Sequence, residues 1–219
     1  MKIKYLAAAL VAVAGLGFQQ AKADMYSFDI GIGNSAISGY SGPYVHVVIS
    51  RTDSTHATIT FTSLTNSGNI YLMGDGGTVA VNVNATSWTL GTVTGSNAGS
   101  GFTPGPYSNG GAGNEDGFGS FNQNITSFDG FTHSSDTITF ALTNLSGTWA
   151  NAMAVLVANA QGYLAAAHIF VTSSPADASN GALATGYAVN GTVPDGGTTV
   201  MLLGMALGAL GVVRRYLTS

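Results

Sequence analysis

The stretch Ala57-Thr58-Ile59-Thr60-Phe61-Thr62 decides the fold. Apolar and hydroxyl side chains alternate along it, so an extended strand would present one apolar face and one polar face. A helix would scatter the same residues around its circumference. The β-branched and aromatic side chains also suit a pleated, half-buried surface. The pattern recurs in both directions from this stretch. Upstream, Tyr26, Phe28, Ile30 and Ile32 oppose Ser27, Asp29 and Gly31, while Val45, Val47 and Ile49 alternate with Tyr44, His46 and Val48 in a strand buried on both sides. Downstream, a long run sets Val79, Val81 and Val83 against Asn82 and Asn84 and continues to Trp88 and Leu90. Ile138, Phe140 and Leu142 then oppose Thr137, Thr139 and Thr143, and His168 to Thr172 is the last clear strand. Short strands of this kind, separated by Gly, Asn, Ser and Asp, predict an all-β domain: an antiparallel β-sandwich of jelly-roll or Ig-like order.

Three segments depart from the alternation. From Trp149 to Gln161, Trp149, Ala152, Met153 and Leu156 fall at helical spacing and Gly162 stands next as a stop, which predicts one short helix capping the sandwich. Residues 95–117 are glycine-rich and poor in apolar side chains, so they read as a long exposed loop. Residues 173–192 are small and polar and read as a linker between the domain, 24–172, and the C-terminal segment.

The two ends have a different grammar. Lys2 and Lys4 precede an apolar run from Leu6 to Phe18, and Ala21 and Ala23 supply the small residues that signal peptidase requires before Asp24. The run has 13 residues; as a helix it reaches about 20 Å, short of a hydrocarbon core of about 30 Å. Residues 1–23 are therefore expected to be a cleaved signal helix. At the other end, Val193-Pro194-Asp195-Gly196-Gly197 forms a turn, and Val200 to Val213 is an apolar run interrupted by glycine. Arg214-Arg215 closes it. This predicts a marginal transmembrane helix over residues 199–213, with the arginines on the cytoplasmic side and the β domain outside.

That order of turn, short glycine-interrupted helix and Arg-Arg resembles the PEP-CTERM sorting signal of Gram-negative bacteria that make exopolysaccharide. Val193 and Pro194 stand where that family has its Val-Pro, and Arg214 and Arg215 where it has its basic stop. Asp195-Gly196 replaces the usual Glu-Pro, which looks like the Val-Pro-Asp variant of the signal. The resemblance implies that 193–219 is a sorting tail recognised by exosortase. It also implies a protein held transiently in the inner membrane and then sorted to the envelope, outer surface or extracellular matrix. Asp116 to Phe131 and Ala165 to Val171 further resemble ectodomains of uncharacterised PEP-CTERM proteins, which brings no activity with it.

Composition narrows what the domain can do. All three lysines lie in the first 23 residues and two of the three arginines in the tail, so Arg51 is the only basic side chain between residues 24 and 192. Nine acids face it, for a formal charge of −8, which repels phosphate backbones and argues against nucleic acid as a partner. There is no cysteine, hence no disulfide or thiolate metal site. The four histidines carry no zinc spacing, and no G-x-S-x-G accompanies them. No catalytic residue is assigned and no cofactor is expected. Calcium is the one ligand with a sequence cue: Gly110 to Asn114 resembles a single turn of a calcium-binding glycine-rich repeat, with Glu115 and Asp116 as candidate ligands. The expectation is a non-enzymatic structural or adhesive surface protein linked to exopolysaccharide, with signal peptidase and exosortase as processing partners. The alternative is a secreted carbohydrate-binding module or polysaccharide-active enzyme.

Overall fold

The structure is a computed structural model that describes residues 24–191. The expected signal helix, sorting tail and transmembrane helix lie outside the described residues. The domain contains twelve strands: β1 (Asp24–Gly33), β2 (Val45–Arg51), β3 (His56–Ser63), β4 (Thr65–Asn66), β5 (Asn69–Met73), β6 (Gly77–Val81), β7 (Trp88–Ser96), β8 (Tyr107–Glu115), β9 (Gly119–Ser127), β10 (Thr137–Asn144), β11 (Ala165–Ser173) and β12 (Ala184–Asn190). They form one antiparallel sheet in the order β7-β10-β3-β2-β1-β12-β11-β6-β9-β8, with β4 and β5 continuing along the edge of β11.

The sheet folds over on itself at β1. From Asp24 to Ile30 this strand pairs with β2; a bulge between Ile30 and Ile32 then turns it, and its last residues pair with β12. Gly31, without a side chain, sits at the bulge, where a strand changes direction most easily. The two halves of the sheet thereby face each other across one core. On the first half, Tyr26, Ile49, Ile59, Phe140 and Val93 form an inward row across five strands. Ala188, Ala167, Val79 and Ile125 form the facing row on the second. The free edges also approach each other: the Tyr107 hydroxyl of β8 meets Ser135 Oγ at 2.5 Å and lies over Gly95 of β7. A nearly closed sheet leaves little exposed edge for unwanted pairing.

The regularly alternating strands therefore lie where the sequence places them, and four expectations are corrected. Among the described residues there is no α-helix. The segment expected to be helical contains only a 3₁₀ turn, Ala152–Val155, whose first donors are capped by Asn151 Oδ1 accepting from Ala154 N at 2.9 Å. Neighbouring chain takes the remaining backbone groups, since Val155 O accepts from Asn84 N and Val157 N donates to Asn82 O, both at 2.9 Å. The expected long run from Val79 to Leu90 is two strands, β6 and β7, because Asn82 and Asn84 tie the intervening chain to this segment.

The third correction is that β8 crosses the expected loop 95–117. Its glycines are required by close approach, since a Cβ at Gly110 would lie 2.8 Å from Thr126 Cγ2 of β9. The fourth concerns the expected linker 173–192, which holds β12, a central strand between β1 and β11 with Ala188 and Val189 fully buried. Small residues there serve close packing rather than flexibility.

Candidate functional site

Of the terminal motif residues, only Asp24 lies in the described part; Ala21, Ala23 and the sorting residues Val193 to Gly197, Arg214 and Arg215 lie outside it. Asp24 opens β1 directly. Its Oδ2 accepts from Ala152 N at 2.5 Å and stands 3.6 Å from Arg51 Nε, while Arg51 Nη1 donates to the Trp149 carbonyl at 3.2 Å. Arg51, the domain's only lysine or arginine, is thus fixed beside the first residue of β1.

Glu115 and Asp116 part company in the structure. The bulged β8–β9 hairpin folds its tip back over the outer face of β6, β11 and β12, where Phe118 and Phe121 pack on Ala80, Ala166 and Val189. Asn159 Nδ2 holds the tip by donating to the carbonyls of Phe118, at 3.0 Å, and Ser120, at 3.3 Å. Asp116 stays exposed in the turn. Glu115 is driven underneath, 2 % exposed, with its carboxyl against Gly77. Asn124 Nδ2 donates to Glu115 Oε1 at 2.5 Å, and Asn124 Oδ1 accepts from Gly113 N at 3.0 Å. Glu115 Oε2 has no partner, and burial pushes the carboxyl up to about 7. Among the described residues no three His, Cys, Asp or Glu side chains converge as a metal would require.

The histidines are tied down separately. His168 stacks on Tyr187 with ring centroids 4.4 Å apart, and its Nε2 meets Thr185 Oγ1 at 2.8 Å. Burial lowers its pKa. Tyr187 is pushed up to about 12, first by burial and then by the charges of Glu115, Asp75 and Asp116. His46 pairs with Asp29 at 2.6 Å and His56 with Asp53 at 2.9 Å, and hydrogen bonds from Thr55 and His56 hold the Asp53 carboxyl far below the usual range. His133 Nδ1 contacts Thr103 O at 2.8 Å. Asp136, three residues on, instead accepts from Ser96 Oγ at 3.1 Å and Ala98 N at 2.6 Å. No serine, histidine and aspartate set forms a relay among these contacts.

A groove of about 490 Å³ opens at the other end of the strands from Asp24 and Arg51, within the size range of small-ligand sites, about 300–1,000 Å³. Four separated segments build it: the β3–β5 region, residues 97–100 after β7, Asp136 before β10, and residues 174–177 after β11. Hydrogen bonds fix its carboxylates: Asp136 is held across the groove from Ser96 and Ala98, and Asp177 from within its own loop. Asp177 Oδ1 accepts from Ser179 N at 2.8 Å and Ser179 Oγ at 2.7 Å, bonds that lower its pKa. A parallel bridge between Ser100 and Asp177 joins two of the walls. The sequence offered no cue for this site, because no two of its walls are contiguous and none carries a periodic or motif signal.

Comparison with known proteins bears on the segment beyond the domain. Residues 192–217 match the VPDSG-CTERM motif, with Gly196 standing where the motif has serine. This is a PEP-CTERM-like sorting signal, and it points to an exported, exosortase-targeted protein of the cell-envelope surface. No curated protein and no solved structure matches the chain.

Proposed function

We propose that this chain is a non-enzymatic structural or adhesive protein of a Gram-negative cell surface or extracellular matrix, associated with exopolysaccharide. Signal peptidase would release the domain at Asp24, the C-terminal helix would hold it in the inner membrane, and exosortase would process the tail. The observation that carries the reading is the junction between domain and signal. β12 ends at Asn190 in the middle of the sheet, and the sorting-motif match starts at residue 192. The sorting machinery thus handles a β domain attached with almost no spacer. Supporting this, the domain has one cation against nine acids, a surface suited to hydrated matrix rather than to anionic lipid or nucleic acid. The reading needs no cofactor; calcium at Glu115 and Asp116 is not part of it, since one is buried and the other exposed.

Fractionating host cells with and without their exosortase tests this. The tagged chain should reach the surface and matrix in the parent and accumulate uncut in the inner membrane of the deletion strain. In a strain that makes no exopolysaccharide it should be shed into the medium. Matrix retention without the polysaccharide, or release of reducing ends from purified exopolysaccharide by the protein, would overturn the proposal.

A further inference from the structure

We propose that the groove between the β3–β5 region and the loops at 97–100 and 174–177 is a saccharide-binding site that takes a short segment of an uncharged, hydroxyl-rich chain. It rests on the exopolysaccharide reading for the source of that chain, and on the groove's own chemistry for its class.

Two carboxylates, Asp136 and Asp177, line the groove. Each is held by hydrogen bonds from backbone and serine groups that leave further lone pairs to accept from a ligand. Among the described residues no cation offsets them, because Arg51 sits at the far end of β2 beside Asp24. A phosphate, sulfate or uronic acid would therefore meet two like charges in a confined site and be repelled. A ligand that donates hydrogen bonds is accepted. Thr65, Ser100 and Ser174 add exposed hydroxyls around the same space. Beneath them Leu72 and Ala176 are buried, and half-buried Ile70 is the accessible apolar side chain of the floor, a contact for the C–H edge of a sugar ring while its hydroxyls reach the carboxylates. A flat apolar ligand would leave the carboxylates unpaired, and a small polyol would leave most of the 490 Å³ groove unfilled. Pyranose units satisfy both.

The opening also faces the right way. β12 runs antiparallel to β1, so the chain leaves the domain toward the Asp24 end. The groove lies at the opposite end, beside Ser63 at the close of β3 and Asp136 at the entry to β10. A polymer could enter it while the tail still holds the membrane.

The test is affinity electrophoresis of the full chain in native gels containing dextran, hydroxyethylcellulose, galactomannan or, as the anionic control, alginate. At least one neutral polymer should retard the wild type and alginate should not. Asp177→Asn keeps the cap on Ser179, since asparagine caps as well as aspartate, but removes the charge. Thr65→Trp places a bulky ring into the groove from an exposed position while leaving both carboxylates in the sequence. Each should weaken retardation at least tenfold in apparent dissociation constant at an unchanged melting temperature. No retardation by any neutral polymer, retardation by alginate alone, or equal retardation of wild type and both variants would overturn the proposal. Failure here is separable from failure of the sorting reading. A chain that reaches the matrix but is not retarded refutes only the groove; a chain that is retarded yet never leaves the inner membrane refutes only the sorting.

Discussion

Raising the pH from 4.5 to 8 should destabilise the folded domain through a single side chain, Glu115. Its carboxyl sits 2 % exposed under the β8–β9 tip, with Oε1 bonded to Asn124 and Oε2 unpartnered. Burial moves its pKa from 4.5 to about 7, which at 1.36 kcal/mol per pH unit amounts to about 3 kcal/mol. Proton counting gives the sign. Between these two values the folded chain keeps a proton that the unfolded chain has released, so stability declines as pH rises and levels off above 7. Below 4.5 both states hold the proton and the penalty vanishes. His168 works in the opposite sense, because its lowered pKa gives a contribution that is lost as pH falls. A comparison of wild type with Glu115→Gln cancels that background. Urea unfolding of both proteins at pH 4.5, 6, 7 and 8 measures the difference directly. It should grow in favour of the variant by about 3 kcal/mol across the series, equivalent to about 6–12 °C in melting temperature for a domain of this size. Parallel stability curves for the two proteins would refute the argument, since they would mean that Glu115 titrates as an exposed acid and that the hairpin tip does not bury it.

Other residues give separate tests. Gly77→Ala would place a Cβ 2.8 Å from Glu115 Oε1; it should cost about 1–3 kcal/mol and also erase the pH-dependent difference above, read by the same urea series. Asn159→Ala removes the two bonds to the tip; hydrogen exchange at Phe118 to Ser120 should accelerate, with a loss of about 1–3 kcal/mol. Trp149 is buried in the core, and its Nε1 donates to Asn84 O at 2.8 Å, so Trp149→Ala should lower unfolding free energy by about 3–5 kcal/mol in denaturant titration.

What the sequence disclosed depended on how each strand signals itself. β3 and β10 face the core on one side and solvent on the other, so Ile59 and Phe61 alternate visibly with Thr60 and Thr62. The pairing of Thr60 with Thr139 at 3.1 Å continues the polar row across the sheet. β8 and β12 give no such signal. The first is glycine-rich because Asn124 and Thr126 crowd its backbone. The second passes between two other strands and uses Ala184, Gly186 and Ala188, where Gly186 faces Asn34 and Ile37 too closely for a side chain. Small residues mean flexibility in a solvated segment and tight packing in a central strand, and local composition does not separate the two. Trp149 misled for a related reason. Its spacing to Ala152, Met153 and Leu156 matches a helix, but Met153 is exposed while Trp149 and Leu156 are buried. Two anchor points along an extended crossing reproduce a helical stripe by coincidence. Glu115 reads as a candidate calcium ligand in an open loop; its burial depends on a hairpin tip folding back, a long-range event with no local trace.

On the proposed reading, the two ends of the strands would have different tasks. Asp24 and Arg51 share one end, together with the exposed apolar side chains Met25 and Met153. The groove, Asp136 and Asp177 occupy the other. The groove's walls stand on or beside β3, β4, β5, β7, β10 and β11. Cutting the tail should change where the domain goes without altering what the groove accepts, since the groove is lined by residues between 63 and 177. If sorting depends on the tail and binding on the groove, variants at Arg214 and Arg215 should shift localisation while leaving polysaccharide retardation unchanged, and Asp177→Asn should do the reverse.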